Sequence, residues 1–481
     1  MATVDQKYVL SSIPQAYRRP RRREEGARWG LALSLAACLF LHQSVRGENR
    51  PLQNQGTVSN AQAGEKESPP KAPLFLIESI TVLNAERTPR EILVSESRLK
   101  IGEAYSEAQL RDAVYRIVRL PFLLDAEFSL RKGSIRGSYE LVVSVTETRQ
   151  WFFGADYDGF WAENPGNSPE YDNGLGLLAG RRFFLGRRGV LSASTSSEDG
   201  VIQVGYTHYD LFNRNALLTV RAATSLCEGF NQSGTDVCLA GIVDTFTETR
   251  QSTSDFLSFD AGLAVPLWGN HSLQITASNT DSEIRFRAPD GFTVSQRDVW
   301  SLGLSWAFNS LDDPVFPTQG KVLITTVGRS ELREKSRING LPTSLGSFTV
   351  NSGDSSSLSS SAQKYWSSSR RTSFSVRVNG SVGHQESEST NVFGDDISSN
   401  TDFYSAGLTL GHALSLFRAA PSKPFNELRW ENTLNTSWRD RSGSNSLLSG
   451  SNAGFSLTTG LRYRTTWGVF SLNLSYVDPE I

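Results

Sequence analysis

From Trp151 onward, apolar and polar residues alternate with a period of two, in segments of about ten residues that turn signals separate. The first segment begins at Trp151, and "GLGLLAGRRFFLG" runs into the tight turn "GRRG" and on to "VLSASTSS". "VIQVGYTHYDLF" and "LLTVRAATS" follow, then "FLSFDAGLAVPLW" and "HSLQITASNT", then "VWSLGLSWAFN" and "KVLITTVG". "TSFSVRVNGSVG", "YSAGLTLGHALSLF", "ELRWENTLNTSW", "AGFSLTTGLRYRTTWG" and "VFSLNLSYVD" complete the series. Short turns alternate with long polar stretches, among them "EGFNQSGTDVCLAGIVDTFTETR" and the Ser-rich "SRINGLPTSLGSFTVNSGDSSSLSSSAQ". Alternating strands with short turns at one end and long loops at the other predict a transmembrane antiparallel β-barrel, of about 16 strands, over residues 149–481. Phe183, Phe184, Phe212, Trp268, Phe308 and Trp467 sit where strands meet short turns, as one aromatic girdle would require. A large soluble all-β protein is the alternative.

Upstream, the period changes. Residues 74–148 read as strand, helix, helix, strand, strand. "SEAQLRDAVYRIVRL" carries Leu110, Val114, Ile117 and Val118 on one helical stripe behind the N-cap Ser106. Thr88 and Pro89 mark the start of the other helix. The expected unit is a small α+β domain, with two helices on one face of a three-stranded sheet. Residues 48–73 are polar, Pro/Gly/Gln-rich and aperiodic, as a disordered linker would be. Residues 1–47 have the layout of a secretory signal: a basic "RRPRRREEGARWG", the apolar "LALSLAACLFL" and a small-residue exit with cleavage expected after Gly47. A lipoprotein box ending at Cys38 is the alternative.

Composition narrows the function. A net charge of −2 gives no nucleic-acid-type basic excess. The low mean hydropathy is compatible with a barrel, whose strands turn polar side chains inward. Beyond the signal, Cys227 and Cys238 remain in one polar loop, which suggests a disulfide in an exported chain. Five histidines, none at ligand spacing from a cysteine, predict no metal site, and no nucleotide motif predicts a cofactor. No Ser/His/Asp arrangement predicts an enzyme.

"NSLDDPVFPTQGKVLITT" resembles the N-x-L-D-x-x-x-F-P-T-x-G turn of the BamA/TamA-like outer-membrane assembly superfamily. "IESITVLNAERTPREILVSESRLKIGEAYSEAQLRDAVYRIVRLPFLLDAEF" and the closing "VVSVTET" resemble its polypeptide-transport-associated (POTRA) repeat. "GLGLLAGRRFFLGRRG" and "TGLRYRTTWGVFSLNLSYVDP" resemble its first and last barrel hairpins. The resemblance covers residues 74–481, and the order of the motifs makes it specific. It implies one POTRA domain in the periplasm of a bacterium and a barrel in the outer membrane. Partners would be the lipid bilayer, unfolded outer-membrane clients or periplasmic polypeptides, and accessory lipoproteins. A client strand would pair at the seam between the first and last strands, where Trp151, Phe152, Phe153 and Tyr476 are placed.

The motif also has a reading of its own. Pro314 and Pro317 fix φ, Gly320 permits a backbone closed to other residues, and Asp312 and Asp313 can accept backbone N–H groups. Phe316 is expected at the membrane interface. The turn is structural, not a catalytic carboxylate pair. Two departures stand out. Residues 384–418 lack the V-R-G-F/Y motif that folds into the lumen in the family, and Arg418 is not assigned its role. The last strand is expected to be missing or very short, which would leave the edge near Trp151 imperfectly paired. A polypeptide-secretion transporter and a divergent porin-like barrel are the rival functions.

Overall fold

A computed structural model describes residues 73–162, 170–196, 201–225, 227–228, 237–238, 252–288, 291–339, 348–369, 371–390, 396–420, 423–443 and 450–478. The expected signal and all but the last residue of the expected linker lie outside these.

The α+β domain contains β1 (Leu74–Leu83), α1 (Arg90–Ser97), β2 (Ala104–Ser106), α2 (Glu107–Val118), β3 (Leu123–Lys132) and β4 (Ser138–Glu147). Its sheet has four strands in the order β2-β1-β4-β3, not three. The extra strand is three residues long, too short for alternation to reveal. β1 and β4 run parallel, and the other pairs are antiparallel. Helix α2 starts on a capping box: Ser106 Oγ accepts from Gln109 N, and the Gln109 side chain accepts from Ser106 N. Helix α1 has no side-chain cap, so the Thr88 cap is not formed. Ile77, Leu93, Leu110, Ile117, Phe122 and Val143 form the core.

The barrel begins three residues after β4. Its strands are β5 (Trp151–Ala162), β6 (Glu170–Phe183), β7 (Gly189–Ser196), β8 (Val201–Leu211) and β9 (Ala216–Ser225). A two-stranded piece, β10 (Cys227–Glu228) and β11 (Val237–Cys238), precedes β12 (Ser252–Pro266), β13 (His271–Ala288) and β14 (Gly291–Asn309). Then come β15 (Gly320–Asn339), β16 (Phe348–Ser367), β17 (Thr372–Thr390), β18 (Asp396–Arg418), β19 (Phe425–Gly443), β20 (Gly450–Thr465) and β21 (Val469–Asp478). β12 to β21 and β5 to β9 close into one barrel of 15 strands, where about 16 were expected. One of the 15, β16, lies in the Ser-rich stretch expected to be a loop, where its outward positions between Ser352 and Ser356 are as polar as its lumen positions.

An odd meander returns its last strand in the direction of its first. β21 and β5 therefore pair in parallel, from Phe470 opposite Ala155 to Val477 opposite Ala162. Every other wall pair is antiparallel. Among the described residues no strand follows β21, so β21 itself closes on β5, and the edge from Ala155 to Ala162, expected to be imperfectly paired, is paired. The region 384–418 falls in β17 and β18 rather than in a long lumenal loop, residues 391–395 lying outside the described ones.

Register sorts the side chains. Leu263, Leu302, Leu304, Val327, Leu358 and Leu410 face outward and are exposed, although they are large and apolar. Such a band is a lipid-facing surface, so the barrel is a membrane barrel. No described helix is long and apolar enough to cross a membrane. Strands β13 to β19 run 18 to 23 residues, beyond the ~9–11 that span a bilayer. Their outer ends accordingly turn charges outward, as in the Arg329–Asp354 pair at 3.0 Å.

Cysteines at Tyr157 and Leu472, which are opposite across the parallel seam, will oxidise to a disulfide in the isolated protein. A cysteine at Tyr157 paired with one at Leu263 will not. Non-reducing electrophoresis reads both, and the absence of the first crosslink would mean a different closure.

Candidate functional site: the domain-side mouth and the seam

The turn between β14 and β15 is held by its own carboxylates. Asp312 Oδ1 accepts from Asp313 N, Thr318 N and Gln319 N at 3.0, 2.9 and 3.1 Å, and Oδ2 accepts from the Thr318 hydroxyl. Asp313 Oδ1 accepts from Val315 N at 2.8 Å and Phe316 N at 2.9 Å. Gly320 has φ +115°, and a Cβ there would meet the Ser310 carbonyl and lie 2.8 Å from Leu311 Cα.

Phe316 is not at the membrane interface. It is 1% exposed, and three guanidinium groups lie against its ring: Arg429 and Arg464 at 4.7 Å, and Arg462 at 5.6 Å from the ring centre. Those arginines belong to β19 and β20, four and five places around the wall from β15. The turn must therefore lean across the lumen at this end. Ion pairs fasten it. Arg464 holds Asp313 at 2.5 Å and Glu427 at 3.6 Å, and Arg429 holds Glu427 at 2.6 Å. The Pro317 carbonyl accepts from Arg429 Nη1 at 3.5 Å. Burial pushes the Asp313 carboxyl up, but the Arg464 guanidinium and the N–H groups of Phe316 and Val315 outweigh it, and the carboxyl ends below its ordinary range. Sequence reasoning found the carboxylates but not their cationic partners, which lie more than a hundred residues downstream.

The α+β domain sits over the same mouth. Arg98 donates to the carbonyls of Gly269 and, at 3.3 Å, His271, in the turn between β12 and β13. Arg116 reaches Asn270 Oδ1 at 3.1 Å while its other arm binds Ser97 O at 2.6 Å. Arg119 donates to Leu311 O at 3.2 Å, and Gln319 donates to the Tyr115 hydroxyl at 2.8 Å. Burial lowers Arg119 to about 10, with Glu96 opposing, so it stays charged at neutral pH. Burial pushes the Glu96 carboxyl up, against the pull of Arg98, Arg119 and Arg116. Phe122 packs on Phe183 and Tyr209 with ring centres 5.2 Å away. Phe183 therefore belongs to the joint with the domain and not to the aromatic girdle.

The seam starts beside this joint. Thr148 N donates to Phe122 O at 2.8 Å, so the link from β4 to β5 is anchored in the domain core. Trp151 is exposed, with the Arg181 guanidinium 5.5 Å from its ring. Phe152 is buried beneath Arg182, whose guanidinium is 4.4 Å from its ring. Phe153 N donates to Trp467 O at 3.3 Å, in the turn between β20 and β21. A side chain at Gly468 would collide with the Phe153 carbonyl, so the strands meet this closely only with glycine there. On the lumen side Asn473 donates to Asp158 Oδ1 at 2.8 Å across the seam. Tyr476 lies opposite Trp161 in register, nearer the far end.

Cys227 and Cys238 are directly opposite in the antiparallel piece β10–β11, a register that suits a disulfide. Their side chains, and hence the bond, lie outside the described residues. Among the described residues no group of three or more His, Cys, Asp or Glu side chains could hold a metal.

Three outcomes follow from the mouth. Phe316→Ala will lower resistance to denaturant by about 3–5 kcal/mol. Gly320→Val will block folding, read as loss of the heat-modifiable band. The Asp313 carboxyl is depressed on folding, so its contribution is present above the ordinary aspartate value of about 3.9 and is lost as pH falls through the folded value. Asp313→Asn will cost about 1–3 kcal/mol at neutral pH and flatten the acid limb of an unfolding-versus-pH profile. Equal acid limbs in the two proteins would show that the Arg464 pair does not matter.

No family model matches the chain, and no curated protein matches it. Among solved structures it is similar to BamA from Haemophilus ducreyi lacking POTRA domains 1–3, at TM-score 0.38 and 12% identity, over 84% of this chain and 81% of that one. It is similar to CdiB from Acinetobacter baumannii at TM-score 0.39 and 9% identity, over 84% of this chain and 74% of that one. For CdiB from Escherichia coli the values are 0.32 and 12%, over 94% of each chain. The chain's own closed sheet and lipid-facing band make it a membrane barrel. The chain is a closed membrane β-barrel with BamA and CdiB among its structural neighbours.

Proposed function

We propose that the chain is an outer-membrane barrel that receives polypeptide strands at the β5–β21 seam, with its α+β domain acting as a periplasmic POTRA domain. The parallel seam carries this reading. Parallel pairing is slightly weaker per residue than antiparallel pairing, and this is the only such pair in the described wall. Opening it would expose two edges of unpaired N–H and C=O groups, which lipid cannot satisfy and a client strand can. The domain is coupled to that edge: three residues separate β4 from β5, and the first of them, Thr148, is tied to Phe122. The covered mouth disfavours simple conduction, since the 309–320 turn leans across the lumen and the α+β domain caps the same rim.

A second reading, a divergent barrel without insertase activity, is favoured by one observation. The region 384–418 carries no V-R-G-F/Y motif and forms wall strands.

Reconstitution with an unfolded barrel client distinguishes them. Photocrosslinkers placed at residues 151–160 will capture the client more often than those at 322–328 in β15, which is paired along its length on both sides. Accelerated client folding should accompany the crosslinks. A barrel that closes as described but never crosslinks client at 151–160 supports the second reading. Crosslinks confined to lumen positions would support a secretion transporter.

A further inference from the structure

The lumen half away from the α+β domain contains a cavity of about 450 Å³ on the inner face of β17, β18 and β19. Two neighbouring rows of the sheet build it. One row places Gly383, Phe403 and Arg441 side by side, and the next places Ser381, Ser405 and Arg439. Gln385, Ser387, Ser399 and Thr401 continue the lining, and Tyr404 and Asp440, which pair with each other in the alternate register to the arginines, complete it.

Three features mark this as more than a polar wall. Gly383 has no side chain, and Phe403 uses the space: a Cβ at Gly383 would stand inside its ring, so the ring lies flat on the wall. The hydroxyls are arranged in cross-strand pairs, Ser381 with Ser405 and Ser387 with Ser399, both at 2.7 Å. Each pair retains donor and acceptor capacity toward the lumen. Finally, Arg439 and Arg441 are exposed, and among the described residues neither makes an ion pair or hydrogen bond. This sets them apart from the arginines of the domain-side mouth, which are engaged with carboxylates, carbonyls or aromatic rings. They project from the same strand face two positions apart, about 7 Å along it.

We propose that this cavity binds an acidic oligosaccharide. The Phe403 face stacks against the apolar side of a sugar ring, the hydroxyl rows and Gln385 exchange hydrogen bonds with its hydroxyls, and Arg439 and Arg441 bind its carboxylate or phosphate groups. The volume lies within the usual ligand range of roughly 300–1,000 Å³. A bare inorganic anion would use the arginines alone. An extended polypeptide would need a free backbone edge, and these three strands are fully paired along the cavity. The site is independent of the seam: it lies on a different part of the wall and requires no strand exchange.

Calorimetric titration of the full chain in nanodiscs tests this, with tetragalacturonate, maltotetraose and acetate as probes. The expected result is saturable binding of tetragalacturonate, with maltotetraose and acetate at least about tenfold weaker. The double variant Arg439→Ala/Arg441→Ala will weaken tetragalacturonate about tenfold or more, and Phe403→Leu, which keeps bulk over Gly383, will weaken it severalfold. Arg333→Ala, on the outer face, will leave it unchanged. Heat-modifiable mobility checks folding of each variant, and the arginine variants alone suffice should Phe403→Leu misfold. Absence of tetragalacturonate binding would overturn the proposal. So would equal affinity for acetate or maltotetraose, or a loss in Arg333→Ala as large as in the double variant.

Discussion

Every backbone N–H and C=O of a strand in lipid must find a partner within the protein, because the hydrocarbon offers none. That constraint governs this molecule. A sheet in a bilayer must close, and a meander of 15 strands can close only by pairing two strands that run the same way. The seam is therefore fixed by topology before any side chain is considered. Local chemistry then adapts to it. Gly468 lets the last turn approach the Phe153 carbonyl, and the Asn473–Asp158 bond spans the two edges on the lumen side.

The domain-side mouth answers a second demand. Short turns are the least constrained parts of a barrel, yet the 309–320 turn is over-determined. Its two carboxylates accept five backbone N–H groups. Its Phe316 is clasped by arginines from β19 and β20, four and five strands away around the wall, and its Leu311 carbonyl is bound by Arg119 of the α+β domain. Removing one member of such a buried set leaves charge without a partner, which costs more than the set as a whole contributes. The turn thus joins three bodies: the β14–β15 hairpin, the β19–β20 hairpin and the domain. Movement of the domain would be felt at the Phe316 cluster, and movement of β20 would be felt at the seam through β21.

Much of the fold was legible in the sequence because period-two alternation records which face meets lipid. It failed where the two faces are alike. β16 hides in the Ser-rich stretch, since Ser352, Ser356 and Ser360 on its outer face are as polar as Ser355, Ser357 and Ser359 inside. β2 is too short to show any period. The parallel seam was invisible for another reason: strand direction at closure depends on a parity that one missed strand inverts. At the mouth, Asp312 and Asp313 were readable as turn acceptors from local spacing. The Asp313–Arg464 pair was not, because it joins residues 151 positions apart that only the closed barrel brings together.

The central claim is that the β5–β21 seam is the weakest line in the wall. Hydrogen–deuterium exchange of the chain in lipid nanodiscs measures that line directly. The account predicts that amides of 155–162 and 470–477 exchange faster than those of 299–308 and 322–331, although all face the same bilayer. Equal protection of the seam and the β14–β15 pair would contradict it.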